Sequence, residues 1–268
     1  MRKISGLLLI SLILCVACQF KLKNNADEEQ SSLMSIVRYD RLEYRYLTTG
    51  DFSALQEMNT EYPIETRTLI EDVLKIGTAT DPEINTKLLK FYQDTTLQML
   101  LVDAETQYSN IDDLNKELNT SFIKLKRWLP DMDIPEVYTQ ISALDESIVV
   151  GNHTIGISLD KYLGKDYHIY NGIYSEAQRN QMTRDMIIPD ALSFYLLSLY
   201  PLKDFETRQQ TDRDLHMGKV QWVVNQAIER KVFNTRFVTA VEQYMRNNPK
   251  VSYDELMKMT DFSEFKFR

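Results

Sequence analysis

The chain has 268 residues, with 31 Lys and Arg against 39 Asp and Glu, a formal charge of −8 and only two cysteines. That length holds one large domain or two small ones around a sizeable core. The acidic balance argues against nucleic acid as a partner, because phosphate binding needs clustered Lys and Arg.

The N-terminus divides into three parts. Arg2 and Lys3 make a positive start, an apolar run follows from Ile4 to Ala17, and Val16-Ala17-Cys18 closes it. The run is shorter than the roughly 20 residues that a membrane-crossing helix needs, and it has the length of a signal peptide. Small residues before a cysteine read as a lipobox. Residues 1–17 are therefore expected to be a lipoprotein leader, with Cys18 as the lipid-attachment residue and the new N-terminus. Cys15 stands where a lipobox usually carries Leu. Three acyl chains at Cys18 make a stable anchor, where one is marginal. No cysteine follows Cys18, so no disulfide forms within one mature chain. Gln19 follows it, and the absence of Asp there favours the outer membrane. Residues 18–32 are polar and read as the lipidated tether, and residues 33–268 as a single globular domain.

Helical spacing begins at Leu33 with Ile36, Val37, Leu42 and Leu47, and Gly50-Asp51 breaks it. A second helix is expected over Phe52 to Asn59 and a third over Ile64 to Ile76, stopped by Gly77. Asp81-Pro82-Glu83 is a start signal for a helix carrying Ile84, Leu88, Phe91, Tyr92, Thr95 and Met99 on one side. Ile111 to Leu129 is another helix, ended by Pro130. Val137, Thr139 and Ile141 then alternate with polar neighbours, as do residues 153–159. Two strands are expected, paired as a hairpin through a turn around Asp145 to Asn152. Helices resume over Ser175 to Leu199, Arg213 to Arg230, Asn234 to Asn247 and Ser252 to Met259. The class is α+β, predominantly helical, with helices packed on a small antiparallel sheet.

Chemical motifs are few. His153, His168 and His216 are too far apart for a zinc pair on one helix face. There is no serine-nucleophile elbow and no phosphate-cradling glycine pattern. Asp160, Asp166, Asp185 and Asp190 are dense enough to consider paired-carboxylate chemistry, although acids abound in this chain. Tyr162, Tyr167, Tyr170 and Tyr174 either line a groove or pack an irregular loop. Asp160 and Asp190 read as structural acids at element starts, where Asn substitutes at little cost.

The segments LPDMDIPEVYTQIS (129–142), TIGISLDKYLGKDYHIY (154–170) and MIIPDALSFYLLSLYP (186–201) carry a resemblance. With Asp214-Leu-His-Met-Gly218-Lys219, they resemble the gliding-motility lipoproteins of the GldB type. The motif residues are Asp160, Tyr162, Leu163 and Gly164, then Pro189 and Asp190, then Gly218 and Lys219. The family in turn looks related to zinc peptidases of the gluzincin kind. That implies a zincin-like fold, with the metal motif falling near Pro189, Asp190 and Ser193 and a third ligand at Met217. None is a first-choice zinc ligand. The resemblance therefore implies a peptidase-like fold without the peptidase site, no metal and no cofactor. It implies a non-catalytic lipoprotein that meets the membrane through its anchor and supports protein partners in a gliding or secretion-associated envelope complex. The competing readings are a peptide- or glycan-binding module using the remnant cleft under the Asp190 helix, and an enzyme with a carboxylate site.

Overall fold

A computed structural model describes residues 34–266. The expected leader, Cys18 and the expected tether lie outside the described residues.

Helix α1 (Tyr39–Thr49) ends at Gly50, whose left-handed backbone (φ 70°) turns its N–H onto the Tyr46 carbonyl. Helix α2 (Phe52–Thr60) is capped by Asp51, which accepts from the N–H groups of Ser53 and Ala54. Helix α3 (Pro63–Arg67) opens on its proline and widens into a π-helical stretch over Thr68–Val73. Next come α4 (Ile84–Phe91), α5 (Thr95–Gln107) and α6 (Asp112–Trp128). The sequence suggests one helix from Asp81 through Met99, and the chain makes two. Asp94 stops the first and starts the second, its carboxylate accepting from Thr96 and Leu97 N–H. The apolar spacing runs straight through that break and hides it.

Three strands follow: β1 (Glu136–Gln140), β2 (Ile148–Val150) and β3 (Thr154–Ser158), in the order β1-β3-β2. The antiparallel expectation is corrected here. The two anticipated strands, β1 and β3, are parallel neighbours, with Val137 opposite Ile155. The hairpin is made by β2 and β3, with Val149 opposite Gly156. The segment expected as a plain turn thus contains a strand, and the sheet is mixed. His153, expected on a strand, sits in the tight turn of that hairpin with φ 58°. β3 lies in the middle and is buried at every position. The alternation over residues 153–159 locates the strand but not its neighbours, because a central strand is covered on both faces. The outer edge of β1 is covered by Val37, whose N–H donates to Val137 O (2.8 Å) while Thr139 N–H donates to Val37 O (2.9 Å). That contact closes the edge against pairing with another chain.

Past a short α7 (Glu176–Arg179), the chain builds α8 (Ile187–Leu199), α9 (Gln210–Ile228), α10 (Arg236–Asn247) and α11 (Tyr253–Lys258). The single helix expected over 175–199 is interrupted because Met182 gives its carbonyl to Gly164 N–H (3.0 Å). Pro189 falls in the first turn of α8, where no N–H is required. Helix α1 packs on β1, α8 on β2 and β3, and α9 on α6, α8 and α10. The predominantly helical α+β class holds. Among the described residues no helix is long and apolar enough to cross a membrane.

Candidate functional site

Chain reversal after β1 sets the geometry of the motif region. Ala143 and Leu144 both take positive φ, 54° and 66°, a conformation that side chains with a Cβ seldom adopt. Asp160 holds them there. It is wholly buried at the end of β3, and its two oxygens accept separately from Ser142 N–H (2.9 Å) and Leu144 N–H (2.6 Å). Burial pushes its pKa up, while these backbone bonds pull it back. An acid that only caps the element it starts would accept from the N–H groups just after it. The carboxylate instead reaches back across the sheet.

Two further buried acids serve the same segment, and sequence reading passed over them as site residues. Glu43 accepts from Ile141 N–H (2.8 Å), and Asp40 accepts from the Thr139 hydroxyl and pairs with Arg38 (2.7 Å). Three carboxylates thus grip consecutive parts of residues 139–144. Burial holds the Glu43 carboxyl well above the ordinary range, with Asp40 and Asp160 adding repulsion. The signal was present: Asp40 and Glu43 stand three apart on the helix face that buries Tyr39, Leu42, Tyr46 and Leu47. Acids on an apolar face announce buried partners.

The rest of the motif ties this corner to the helices. Tyr162 is buried; its carbonyl accepts from Tyr108 Oη (2.6 Å) and its hydroxyl donates to Asp190 Oδ2 (2.9 Å). Leu163 donates its N–H to Tyr170 Oη (3.0 Å), and Tyr170 donates onward to the Asp160 carbonyl. Gly164 takes φ 111°, where a side chain would be strained. Tyr167 donates to Asp103 (2.7 Å) and Tyr174 to the Leu144 carbonyl (2.7 Å). Of the two readings of the tyrosine cluster, packing of an irregular loop is the one these contacts describe.

Asp190 lies in the first turn of α8, partly buried, and burial raises its pKa to about 6 although the Tyr162 hydroxyl favours the charged form. The folded state then binds more protons than the unfolded chain between the ordinary carboxylate range and pH 6. Stability therefore falls as pH rises through that window, and the loss is complete above it. The Asp190 share is on the order of 2 kcal/mol after allowance for solvent screening. Glu43 and Asp160 slope the same way, so the comparison must be made against a variant. Chemical denaturation of wild type and Asp190→Asn at pH 4.5 and 7 is expected to show a smaller pH-dependent loss in the variant. Equal losses would place the Asp190 pKa near its unfolded value.

The zinc positions implied by the peptidase relation do not come together as a ligand set. Pro189 offers no donor atom, Ser193 Oγ donates to the Pro189 carbonyl (2.7 Å), and Met217 is exposed. Asp190 takes the Tyr162 hydroxyl. Among the described residues, no group of three or more His, Cys, Asp or Glu is placed to hold a metal ion.

Gly218 and Lys219 belong to a second corner. A Cβ on Gly218 would lie 2.7 Å from Phe237 Cβ, so α9 and α10 touch backbone to backbone there. Lys219 is almost wholly buried. Its ammonium donates to Met257 O (2.9 Å) and Met259 O (2.8 Å) and lies 5.5 Å from the centre of the Phe262 ring. It thereby caps the C-terminus of α11, the negative end of that helix dipole. Burial lowers its pKa to about 8, which still leaves the proton in place at neutral pH. Neighbouring His216 is driven down to about 4, first by burial and then by the Lys219 charge. Replacing Lys219 by Met keeps the volume and removes both bonds. The expected cost is about 2–3 kcal/mol, read as a lower midpoint in denaturant with faster proteolysis after residue 250.

Two adjoining grooves run elsewhere, along α9 and α10, and share no residue with the Asp160–Asp190 corner. Phe194 and Met217, on the neighbouring helices α8 and α9, are exposed rather than folded into a cleft.

No curated protein and no solved structure matches the chain. Residues 21–235 match the family described as gliding motility protein GldB, a span that takes in the buried carboxylates, the tyrosine corner and the Gly218-Lys219 pair. The chain belongs to the GldB family of gliding-motility lipoproteins.

Proposed function

We propose that the protein is a non-catalytic outer-membrane lipoprotein, held by Cys18, that serves as an interaction component of the envelope assembly in which its family works. The observation that carries this reading is how the motif is spent. Both Asp160 oxygens, the Tyr162 hydroxyl with Asp190 Oδ2, and the Lys219 ammonium hold other parts of the same chain. Chemistry on a substrate needs groups left available to it. Large apolar side chains stay outside instead: Phe194, Leu199, Phe205 and Met217 all lie in or between α8 and α9. Exposed apolar groups gathered on one hairpin favour contact with another protein.

Native gels of solubilised membranes test it. Wild type is expected to migrate in a complex well above the 31.4 kDa of the unprocessed chain. Phe194→Ser with Met217→Ser is expected to shift it to the monomer position without changing the unfolding temperature. Wild type running as a monomer, or peptide cleavage by the purified protein, would overturn the reading. Cys18→Ala is expected to leave the protein unlabelled by a fatty-acid probe and absent from the membrane fraction, or retained as an uncleaved precursor.

A further inference from the structure

The geometry points to the free edge of β2 as a docking site for an extended segment of a partner protein, added to the sheet as a further strand. The order β1-β3-β2 leaves two outer edges. Val37 closes the β1 edge, and among the described residues nothing pairs with the outer side of β2. The hairpin bonds decide which groups face outward. Gly151 N–H donates to Thr154 O (2.9 Å) and Ser158 N–H to Ser147 O (3.0 Å). Residues 147, 149 and 151 therefore turn their backbone groups toward β3, in the alternation of an antiparallel pair. The N–H and C=O groups of Ile148 and Val150 turn the other way, and no hydrogen bond from the rest of the described chain reaches them. Two donors and two acceptors in a row are the frame that one added strand fills.

The edge lies at the surface. β3 is buried throughout, whereas Val149 and Val150 are half-buried, and Asp145, Glu146, Gly151 and Asn152 on either side are exposed. No Lys or Pro guards Ile148-Val149-Val150, and its register with β3 runs without a bulge. Three residues by themselves bury far less than the roughly 1,000 Å² that a stable interface between domains needs, which favours a short linear segment over a second copy. Charge sets the chemistry of that segment. Asp145 and Glu146 lead into the strand, and among the described residues neither carboxylate forms an ion pair. A segment running antiparallel to β2 passes Val150, then Ile148, then Glu146. It fits best with β-branched residues at the first two places and Arg or Lys at the third.

The full lipidated protein in detergent is titrated against a fluorescein-labelled peptide amide, Thr-Val-Thr-Val-Thr-Arg, read by polarisation. Saturable binding with Kd below about 1 mM is expected. Two N-methylated forms separate backbone pairing from side-chain contact. Methylation of both valine nitrogens blocks the N–H groups that face β2 and is expected to abolish binding. Methylation of the third and fifth residues blocks N–H groups that face away and is expected to change Kd by less than about threefold. Val150→Pro removes one outward N–H and no bond to β3, at a place where an edge strand accepts proline. It is expected to weaken binding at least about tenfold at a nearly unchanged unfolding temperature. Glu146→Lys, at an exposed position, is expected to make the protein prefer the peptide with Glu in place of Arg. No saturable binding, equal binding of the two methylated peptides, or wild-type affinity in folded Val150→Pro overturns the proposal. So does an unchanged preference for Arg in Glu146→Lys. The titration does not need the native-gel complex, so failure of one leaves the other standing.

Discussion

Gly218→Val is expected to unfold the protein well below the wild-type temperature, and Gly218→Ala to lie between the two. In an isolated helix the order would be reversed for Ala, since glycine costs about 1 kcal/mol relative to alanine. The packing of α9 on α10 decides the sign. A Cβ at residue 218 would meet Phe237 Cβ at 2.7 Å, the Phe237 carbonyl carbon at 2.9 Å and Val238 N at 3.1 Å. Carbon atoms rest at about 3.5–4.0 Å, and these neighbours belong to the α10 backbone rather than to a side-chain tip that could swing away. The helices must therefore separate, opening gaps around Val223 and Val241, both fully buried. Overpacking of this kind costs about 1–3 kcal/mol for one methyl, and more for the branched side chain. In a domain of this size each 1 kcal/mol is worth roughly 2–4 °C. Thermal unfolding of the Ala and Val variants measures it. An Ala variant more stable than wild type would mean that the helices move apart freely and that propensity governs this position.

The helices with one clear apolar face and a stop or start signal beside it were legible in the sequence. Ile111 to Leu129 was expected and Asp112–Trp128 is found; Ser252 to Met259 was expected and Tyr253–Lys258 is found. In both cases local chemistry and burial point to the same boundaries. Asp94 defeats that logic because a cap can sit inside an unbroken apolar spacing. The sheet order could not be read. Ile148-Val149-Val150 looks like any short apolar run, and only pairing with β3 makes it a strand. Parallel pairing of β1 with β3 depends on the left-handed bend at Ala143 and Leu144, and neither residue type advertises such a bend.

The functional residues divide in the same way. The LD-x-YLG string marks Asp160 and Tyr162, but their work lies in partners 16–28 positions away, at Leu144 and Asp190. The Gly218-Lys219 pair is legible as a string for the same reason that its work is not: Gly218 meets Phe237 on α10, and Lys219 reaches the Met257 and Met259 carbonyls at the end of α11.

Asp160→Asn is expected to destabilise the protein nearly as much as Asp160→Ala, contrary to the tolerance anticipated from the sequence. An Asn at a helix cap succeeds because one oxygen suffices. Here two oxygens accept from two different N–H groups, Oδ1 from Ser142 and Oδ2 from Leu144. An amide has one oxygen, so its NH₂ must face one of these donors, and that buried N–H loses its partner. An unsatisfied buried donor costs about 1–3 kcal/mol, and loss of a hydrogen bond to a charged group is of similar size. Two left-handed residues then sit without their clamp, each strained by about 1–3 kcal/mol. The combined loss for Asn is on the order of 3 kcal/mol. This account also predicts a rescue. Leu144→Gly relaxes the bend, so it is expected to cost less in the Asp160→Asn background than in wild type, where the clamp already enforces the turn. A double-mutant cycle in urea measures the difference, with coupling of about 0.5–1 kcal/mol expected. Additive effects would mean that Asp160 does not hold the bend. An Asn variant with the wild-type midpoint would mean that one of its two backbone bonds is not made in solution.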